Sequence, residues 1–532
     1  MTPPATPPAT PPAVPPLPLP TADREGCERL AADLRAAGFT ADGVRSAWGA
    51  DNDDAVGRGV RGPALRVLGD RDDALAVLAR LLVLGMPQDE ASVAAALPRT
   101  GVAGLCALGL ATTDGTRVAP TALIRPQSYA VGTGDGHWWI ASDLDEAALA
   151  GPLPEDHVLG VGGASFTLAE LQLPTPAARA LDLGTGCGVQ ALRAREHVAE
   201  VVATDVSERG LAFARLNAAL NGVTGIDARA GSLFAPVAGE RFDRVISNPP
   251  FVITPRRTGV PAYEYRDGGM IGDALVASVI RDVGERLVPG GVAQMLGNWE
   301  TRDGVPGLER VREWVDTSPV PVDAWVVERE RTDPLAYAEL WIRDGGTVPG
   351  TREFDRLLDA WLEDFAARGV TGIGFGYVLL RRPAGGDAPT LARYETVTQP
   401  LAQGGLGAHL AEALAAHDRL ADMDDAAVAA SVLRVSGDVT EVRHHRPGEE
   451  DPTVIELRQG GGFARSLSVD PALAALVGAC DGDLAVGALI DAIAQLLGVD
   501  AGALRADLLP RVRELLFTGF LGFAPDAEGG PR

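Results

Sequence analysis

Short strand-like runs alternate with amphipathic helical runs from about residue 155 onward, and this alternation constrains the fold more than any other feature. Strand-like "RALDLGTG" leads into helix-like "VQALRAREH", and strand-like "EVVATDV" leads into helix-like "RGLAFARLNAALNG". Strands that alternate with helices of this length form a mostly parallel sheet with helices on both faces. The sequence therefore predicts an α/β domain over residues 151–385.

Further domains are predicted on both sides of this one. Proline dominates residues 1–20, which predicts a disordered tail. Residues 21–150 show helical patterns followed by "TTDGTRV", whose Asp-Gly marks a tight hairpin, so we expect a helical, winged-helix-like domain. Such domains often bind nucleic acid, but the sparse basic residues favour a protein-docking or lid role at least equally. The pattern of residues 386–532 predicts a mainly helical or winged accessory domain, whose expected role is interaction or regulation.

Charge and composition limit the classes of function. The formal net charge is −25 at pH 7, which disfavours nucleic acid as a general ligand because neutralised phosphates supply most of that affinity. The four cysteines are widely spaced and the seven histidines lack ligand spacing, so we predict no disulfide framework and no metal site. No apolar run reaches the roughly 18 residues of a membrane span. We expect a soluble, cytoplasmic protein without a membrane partner.

A glycine-rich loop follows the first strand of the α/β domain. The segment "ALDLGTGCGVQAL" joins strand to helix through Gly184, Gly186 and Gly188, which allow a ligand to approach the backbone closely. Asp182 lies at the end of this strand, and Asp205 closes the next one. A carboxylate about twenty residues after the glycines is placed to accept both ribose hydroxyls. The glycine pattern by itself is compatible with a nucleotide-type ligand or with a tight turn.

A second constrained segment is "FDRVISNPPFVITP", residues 242–255. Two consecutive prolines cannot donate ladder hydrogen bonds and hold φ near about −65°, so a strand must end at Asn248. The amide of Asn248 and the ring of Phe251 then lie at a stiff edge. From these residues alone, the edge is either a turn or a place that holds a planar group.

Together these segments resemble the class I S-adenosylmethionine-dependent methyltransferases, and their fold is then the Rossmann-like one of that class. The order of the glycine loop, "TDVS", "GSLF", "NPPF" and "RDGGMIGDALVASVI" resembles the HemK-like branch. By this resemblance Asp182 orients the amino-acid end of S-adenosylmethionine, and Asp205 holds its ribose. Ser232 stands where many relatives carry an acidic residue. The cofactor-binding residues that the resemblance implies are Asp182, Gly184, Thr185, Gly186, Cys187, Gly188, Asp205, Ser232, Leu233 and Asn248.

With a methyl donor in the glycine loop, the strand end at Asn248 is expected to face the methyl group, since ligands of such sheets bind beyond the carboxyl ends of the strands. Asn248 accepts one hydrogen bond from a substrate NH₂, and the carbonyl of Pro249 or Pro250 accepts the second. Phe251 supplies a face for stacking. These four residues are the predicted catalytic set, acting by positioning and electrostatics without a strong general base.

The methylated nitrogen has two main interpretations. HemK-like enzymes methylate a glutamine side chain in peptide-chain release factors, so the resemblance implies a protein substrate, such as a translation factor. The alternative is an RNA or DNA base amino-methyltransferase acting on guanine N2 or adenine N6. It is favoured by Phe251, since HemK-like enzymes usually carry N-P-P-Y, and by Arg256 and Arg257, which meet phosphates, face solvent or pair with nearby acids. A non-enzymatic scaffold is disfavoured by the intact glycines, Asp205 and Asn248.

Three neighbouring segments have weaker interpretations. Ser165, in "GVGGASFTLAEL", either lines the substrate pocket or lies in an ordinary helix start. Tyr263 and Tyr265 are candidate walls of the substrate cleft. We expect "GHWWIASD" to be core packing rather than a base-stacking platform.

Overall fold

The computed structural model describes residues 17–131, 134–149, 153–261, 263, 265–386, 388–402 and 404–525. Most of the predicted proline-rich tail, residues 1–16, lies outside the described residues. At its end, the carbonyl oxygens of Leu17 and Pro18 accept hydrogen bonds from Arg209 Nη1 at 3.3 and 3.1 Å. The chain forms two compact units, the first of which comprises the described residues up to Leu153 with His157–Gly160 and Glu208–Thr224.

The N-terminal part is mainly helical and also contains two small antiparallel sheets. Its elements are α1 (Arg24–Ala36), α2 (Ala41–Trp48), α3 (Ala50–Gly57), α4 (Gly62–Leu68), α5 (Ala74–Leu78), a π-helical turn (Ala79–Val83), β1 (Gln88–Asp89), α6 (Glu90–Ala96), α7 (Gly101–Ala107), β2 (Ala111–Thr113), β3 (Arg117–Pro120), β4 (Leu123–Val131), β5 (Gly134–Ser142) and α8 (Glu146–Leu149). Strand β3 lies between β1 and β2, with helices α6 and α7 between β1 and the hairpin in sequence. This is the helix and hairpin order predicted from "TTDGTRV".

The segment "GHWWIASD" packs inside this first unit. Trp138 and Trp139 are buried, and the indole nitrogen of Trp139 donates to the carbonyl oxygen of Phe39 at 2.7 Å. Asn217 binds both backbone groups of Ala141 through its side-chain amide. The indole rings are therefore core residues, as we expected.

The second unit contains the α/β region. Its first elements are α9 (Gly163–Leu171), β6 (Ala177–Leu183), α10 (Val189–Ala194), β7 (Val198–Asp205), β8 (Ile226–Ala230), β9 (Phe242–Ser247), α12 (Ala274–Asp282) and β10 (Leu287–Arg302). Helix α11 (Glu208–Leu220) lies between β7 and β8 in the sequence but belongs to the first unit. It continues with α13 (Gly307–Asp316), β11 (Asp323–Thr332), α14 (Pro334–Asp344), α15 (Arg352–Ala367), β12 (Val370–Arg381) and β13 (Ala392–Thr396). Short 3₁₀ turns lie at Ala235–Val237, Val283–Arg286 and Ala384–Gly386.

Within the described residues these strands form an eight-stranded sheet in the order β13-β11-β12-β10-β9-β6-β7-β8. Strand β12 runs antiparallel to both of its neighbours, and the other neighbours in the sheet are parallel. The predicted α/β class with a large, mostly parallel sheet is confirmed. Strand β13 joins this sheet beyond residue 385, where the sequence placed the domain boundary.

Alternating side chains of the central strands fill two different cores. Leu181 and Val245 lie in the cluster on one face, whereas Ala180 and Ile246 lie in the cluster on the other. Successive residues of a strand point to opposite faces, and a sheet covered on both sides needs apolar residues at both. The carboxyl ends of β6, β7 and β9 are therefore held at one edge of a rigid sheet.

The C-terminal part of the second unit has its own core. Its elements are α16 (Leu406–Ala421), α17 (Asp425–Ala430), β14 (Val432–Val435), β15 (Val439–His445), β16 (Pro452–Gln459), β17 (Ser466–Val469), α18 (Pro471–Ala479), β18 (Asp481–Ala485), α19 (Val486–Leu497), α20 (Ala501–Phe517) and β19 (Leu521–Phe523). Phe463 and Phe517 also pack on Trp325 of β11, at ring distances of 5.7 and 4.8 Å. The domain boundaries at residues 150 and 385 stay predictions.

Two further expectations concern metals and membranes. Across the described ranges, no three His, Cys, Asp or Glu side chains lie together as metal ligands would. None of the four cysteines, all of which lie in the described ranges, forms a disulfide. No helix of the described part of the chain has the length and apolar character needed to cross a membrane.

Candidate functional site

The glycine loop lies between the carboxyl end of β6 and the start of α10. Gly184, Gly186 and Gly188 have φ angles of 75°, 51° and 86°, in the left-handed region that glycine adopts without steric cost. A Cβ placed on Gly184 or Gly186 would meet no atom beyond its chain neighbours within 4 Å. The loop therefore needs glycine for its backbone conformation, and it leaves open space beside it.

Asp182 lies directly beneath this loop and is fully buried. Its Oδ2 accepts a hydrogen bond from Thr185 Oγ1 at 2.6 Å, whereas its Oδ1 is buried with no partner among the described residues. Burial raises the pKa of Asp182 to about 7. A buried carboxylate oxygen without a partner is costly, and a cationic group bound there would relieve the cost. This oxygen fits the ammonium group at the amino-acid end of S-adenosylmethionine.

Asp205 ends β7 beside the same loop. Its Oδ2 accepts from the backbone N–H of Gly186 at 2.8 Å, and its Oδ1 accepts from that of Ser207 at 2.9 Å. Burial raises the pKa of this carboxyl above its usual value. Each carboxylate oxygen keeps a second lone pair, so two ribose hydroxyls have oriented acceptors here.

The remaining predicted cofactor residues differ in exposure. Ser232 is exposed. Leu233 has a φ of 48°, which is unusual for a residue with a side chain and marks local strain. Thr185 and Cys187 are buried, and burial raises the pKa of the Cys187 thiol to about 11. Cys187 is therefore an uncharged thiol at neutral pH.

Asn248 directly follows β9, next to the end of β6. Ser247 Oγ donates to the carbonyl oxygen of Leu183 at 2.8 Å, which ties the two strand ends together. The Oδ1 atom of Asn248 is buried and has no partner among the described residues. An unsatisfied buried acceptor costs about 1–3 kcal/mol. A ligand N–H at this position would satisfy it.

Phe251 lies where the loop meets the D-G-G segment. Its ring centroid is 5.5 Å from that of Phe375, with the planes tilted by 50°. Its backbone forms an antiparallel bridge with Asp267. Asp267 in turn accepts a hydrogen bond from Arg256 Nη1 at 2.9 Å, and Arg257 pairs with Glu363. The two arginines thus pair with acids, one of the three alternatives that the sequence left open.

Tyr263 and Tyr265 pack around a neighbouring arginine. The guanidinium of Arg266 lies 4.6 and 5.8 Å from their ring centroids. Their hydroxyls donate at 3.3 Å to the Gly345 carbonyl and to Asp344, respectively. These rings pack around Arg266 in the segment that precedes Asp267, and their role as walls of a substrate cleft stays a prediction. The backbone carbonyl of Ser165 accepts a hydrogen bond from Gln190 Nε2 at 2.8 Å.

Sequence reasoning missed two residues that the fold brings to the loop. The hydroxyl oxygen of Tyr337 accepts from the backbone N–H of Ile253 at 3.1 Å. The side-chain amide of Asn298 is hydrogen-bonded to the same oxygen, with 2.6 Å between the two atoms. The only signal in the sequence is a polar asparagine inside the apolar run "VAQMLGNW", and it does not indicate a partner.

Comparison with known proteins agrees with this geometry. A family model described as "Methyltransferase small domain" matches residues 162–262, which include the glycine loop and the N-P-P-F segment. Two models described as domains of unknown function match residues 36–121 (DUF7059) and 412–522 (DUF7782). A release factor glutamine methyltransferase from Gloeobacter violaceus is 31% identical over 221 residues, which are 38% of this chain and 75% of that protein. The chain belongs to the HemK-like family of glutamine methyltransferases.

Other HemK-like relatives match a shorter stretch. The ribosomal protein uL3 glutamine methyltransferase of Bradyrhizobium diazoefficiens is 36% identical over 154 residues, 26% of this chain and 46% of the relative. The release factor glutamine methyltransferase of Deinococcus radiodurans is 36% identical over 172 residues, 30% of this chain and 58% of the relative. The chain thus spans about half the length of these two relatives. Among solved structures, a ribosomal protein L11 methylase from Lactobacillus delbrueckii has a TM-score of 0.22 and 21% identity, covering 30% of this chain and 67% of that one.

S-adenosylmethionine is the cofactor of the HemK-like family, and the described residues fit it. The open space beside Gly184 and Gly186, the free oxygen of Asp182 and the oriented carboxylate of Asp205 lie around one loop. Each offers what a different part of the cofactor needs: room, a partner for its ammonium group and acceptors for its ribose.

Proposed function

We propose that this protein transfers a methyl group from S-adenosylmethionine to the side-chain nitrogen of a glutamine in a protein. The observation that carries the proposal is the buried, unpartnered Oδ1 of Asn248. Asn248 directly follows β9. The last residue of β9, Ser247, is hydrogen-bonded to Leu183 at the end of β6, where the glycine loop starts. An amide acceptor and the cofactor loop therefore belong to adjacent strand ends.

The cofactor would be held by the glycine loop and its two carboxylates. Asp182 Oδ1 would receive the ammonium group, and Asp205 would receive the ribose hydroxyls. When bound, S-adenosylmethionine supplies a methyl group on a positively charged sulfur. The other residues that we assign to cofactor binding are Gly184, Thr185, Gly186, Cys187, Gly188, Ser232, Leu233 and Asn248.

The residues after β9 orient the acceptor nitrogen. Asn248 Oδ1 accepts one N–H of a primary amide, and a backbone carbonyl of Pro249 or Pro250 accepts the other. Phe251, which is itself in contact with Phe375, stacks on the planar group. Held in this way, the nitrogen would present its lone pair for methylation, and S-adenosylmethionine held by the glycine loop would supply the methyl group. The nitrogen then loses one proton to solvent, so a strong base is unnecessary.

A protein substrate is favoured over nucleic acid. Relatives are named for glutamines in ribosomal protein uL3 and in release factors. Arg256 and Arg257, on which the nucleic-acid hypothesis relied, pair with Asp267 and Glu363. We therefore propose a translation protein as partner and the cytoplasm as the place of reaction. Residues 21–150 and 386–532 would serve as accessory domains.

To test this proposal, the protein is incubated with S-adenosylmethionine that carries a tritiated methyl group and with unmethylated release factor or uL3. We expect label in a glutamine of one of them, lost on protease digestion and retained after nuclease. Asn248→Ala should abolish the label, whereas the control Asn52→Ala, whose side chain binds the Trp48 carbonyl in the first unit, should keep it. Absence of label in protein with wild-type enzyme, or label released by nuclease from a cell extract, would contradict the proposal.

A further inference from the structure

A second amide side chain, that of Asn298 on β10, lies near residues 248–251, which we call the acceptor segment. Ser247 of β9 pairs with Met295 of the parallel strand β10. Asn298 lies three residues after Met295, and Pro250 lies three residues after Ser247. Asn298 is also directly opposite Phe375 on the antiparallel strand β12. Directly opposed residues share one face of a sheet. Asn298 therefore shares a face with Phe375, whose ring contacts Phe251.

The free end of the Asn298 amide is the unexplained feature. The residue is only 2% exposed. One end of its amide is hydrogen-bonded to Tyr337 Oη at 2.6 Å, and the other end is buried with no partner among the described residues. Asn248 has the same kind of free, buried amide end. Two such amides on adjacent strands cost stability unless a ligand supplies their partners.

The hydrogen bonds of Tyr337 indicate which end of Asn298 is free. Its hydroxyl oxygen already accepts from Ile253 N–H at 3.1 Å, and burial raises the pKa of Tyr337, so the hydroxyl keeps its hydrogen. That hydrogen needs an acceptor. A half-turn of the Asn298 amide exchanges its two ends, which have the same shape. With the oxygen towards Tyr337, the NH₂ group of Asn298 is the free end.

We propose that Asn298, oriented by Tyr337, binds the substrate carboxamide by donating to its carbonyl oxygen while Asn248 accepts from its NH₂. This inference rests on the proposed function and specifies the chemical group that the site recognises. A primary carboxamide carries a carbonyl acceptor and two N–H donors, and these complement one donor and one acceptor from the two asparagines. The pair therefore selects a glutamine-type amide over an isolated amine.

Two substitutions separate substrate binding from support of the loop. Asn298→Ala removes the whole amide. Asn298→Asp keeps an oxygen that accepts the Tyr337 hydroxyl hydrogen but replaces the donor with a second acceptor. We expect both variants to lower kcat/KM for unmethylated release factor by at least about tenfold, while the Kd for S-adenosylmethionine stays within twofold. Wild-type kcat/KM in Asn298→Asp, or a parallel loss of cofactor binding, would overturn the inference.

Gln294→Ala is the matched control. Gln294 is a buried amide on the same face of β10, four residues earlier, and it binds the backbone of Leu171 and Leu173. Its loss should lower the thermal midpoint with little change in kcat/KM, which measures the effect of removing a buried amide as such. A wild-type protein that methylates neither release factor nor uL3 overturns the proposed function and this inference together. Activity that is unaffected by both Asn298 variants overturns this inference alone.

Discussion

Thr185 Oγ1 donates a 2.6 Å hydrogen bond to Asp182 Oδ2, and the other oxygen of that carboxyl is buried without a described partner. Thr185 belongs to the glycine loop, so the loop and the carboxyl beneath it are held as one unit. This hydrogen bond leaves the other carboxylate oxygen as the acceptor that we assign to the ammonium group of the cofactor.

Cofactor affinity should depend on the ionisation of Asp182. Burial raises its pKa to about 7, and an ammonium group requires the ionised form, so affinity falls as the pH drops through this value. The ammonium group loses its own proton with an α-amino pKa of about 7.7–8.0, so we expect Kd to be lowest at about pH 7.4 and about sixfold higher at pH 6. Calorimetric titration with S-adenosylmethionine measures this. Asp182→Asn should bind weakly at every pH, and a pH dependence equal to that of wild type in this variant would refute the assignment.

Glycine at position 186 should matter for binding as well as for folding. Gly186→Ala places a side chain at a φ of 51°, which costs about 1–2 kcal/mol of folding free energy, and its Cβ enters the space assigned to the cofactor. Gly239→Ala is the matched control, because Gly239 also has a positive φ of 81° and open space around it. Urea unfolding should show similar losses for both variants. Calorimetry should show lost cofactor binding for Gly186→Ala alone; equal binding by the two would place the cofactor elsewhere.

Asp205 and Asn248 should separate binding from transfer. Asp205→Ala removes charged hydrogen-bond acceptors, so Kd for S-adenosylmethionine should weaken by about 10- to 100-fold. Asn248→Ala should leave Kd within about threefold and lower kcat for methyl transfer by at least about 100-fold, because it removes an interaction with the reacting amide. Binding by calorimetry and transfer of tritiated methyl report the two quantities separately. Retained transfer by Asn248→Ala would exclude the mechanism.

The ion pair behind the N-P-P-F segment should be more important to stability than its exposed neighbour. Arg256 pairs with Asp267, whose side chain is 2% exposed, whereas Arg257 pairs with Glu363, whose side chain is 67% exposed. Arg256→Ala leaves a buried carboxylate unpaired, so we expect a loss of about 3 kcal/mol in the free energy of unfolding. Arg257→Ala should cost less than about 1 kcal/mol. Denaturant unfolding compares them, and equal losses would mean that the 3.0 Å hydrogen bond from the Gly269 backbone N–H suffices to stabilise the Asp267 carboxylate.

The local parts of the site were predictable because each lies within a few residues of a strand end. Three glycines, Asp182 and Asp205 have roles that depend on spacing along the chain, and the structure brings them around one loop. The partners of Arg256 and Arg257 were left open, since either solvent, phosphate or an acid satisfies an arginine. Their acids come from residues 267 and 363, and no sequence spacing indicates such contacts.

The sequence by itself determined the α/β alternation, the cofactor loop and the strand end at Asn248, because glycine conformations, proline geometry and hydrophobic periodicity act locally. Only the tertiary structure decided that β13 extends the sheet and that Asn298 and Tyr337 lie behind the acceptor segment. Strand β13 is a short, half-buried edge strand whose partner β11 lies about 65 residues earlier. Tyr337 reaches Ile253 across 84 positions of the chain. Contacts between such distant residues form only when the sheet assembles, since their energy comes from burial and pairing that no single segment possesses.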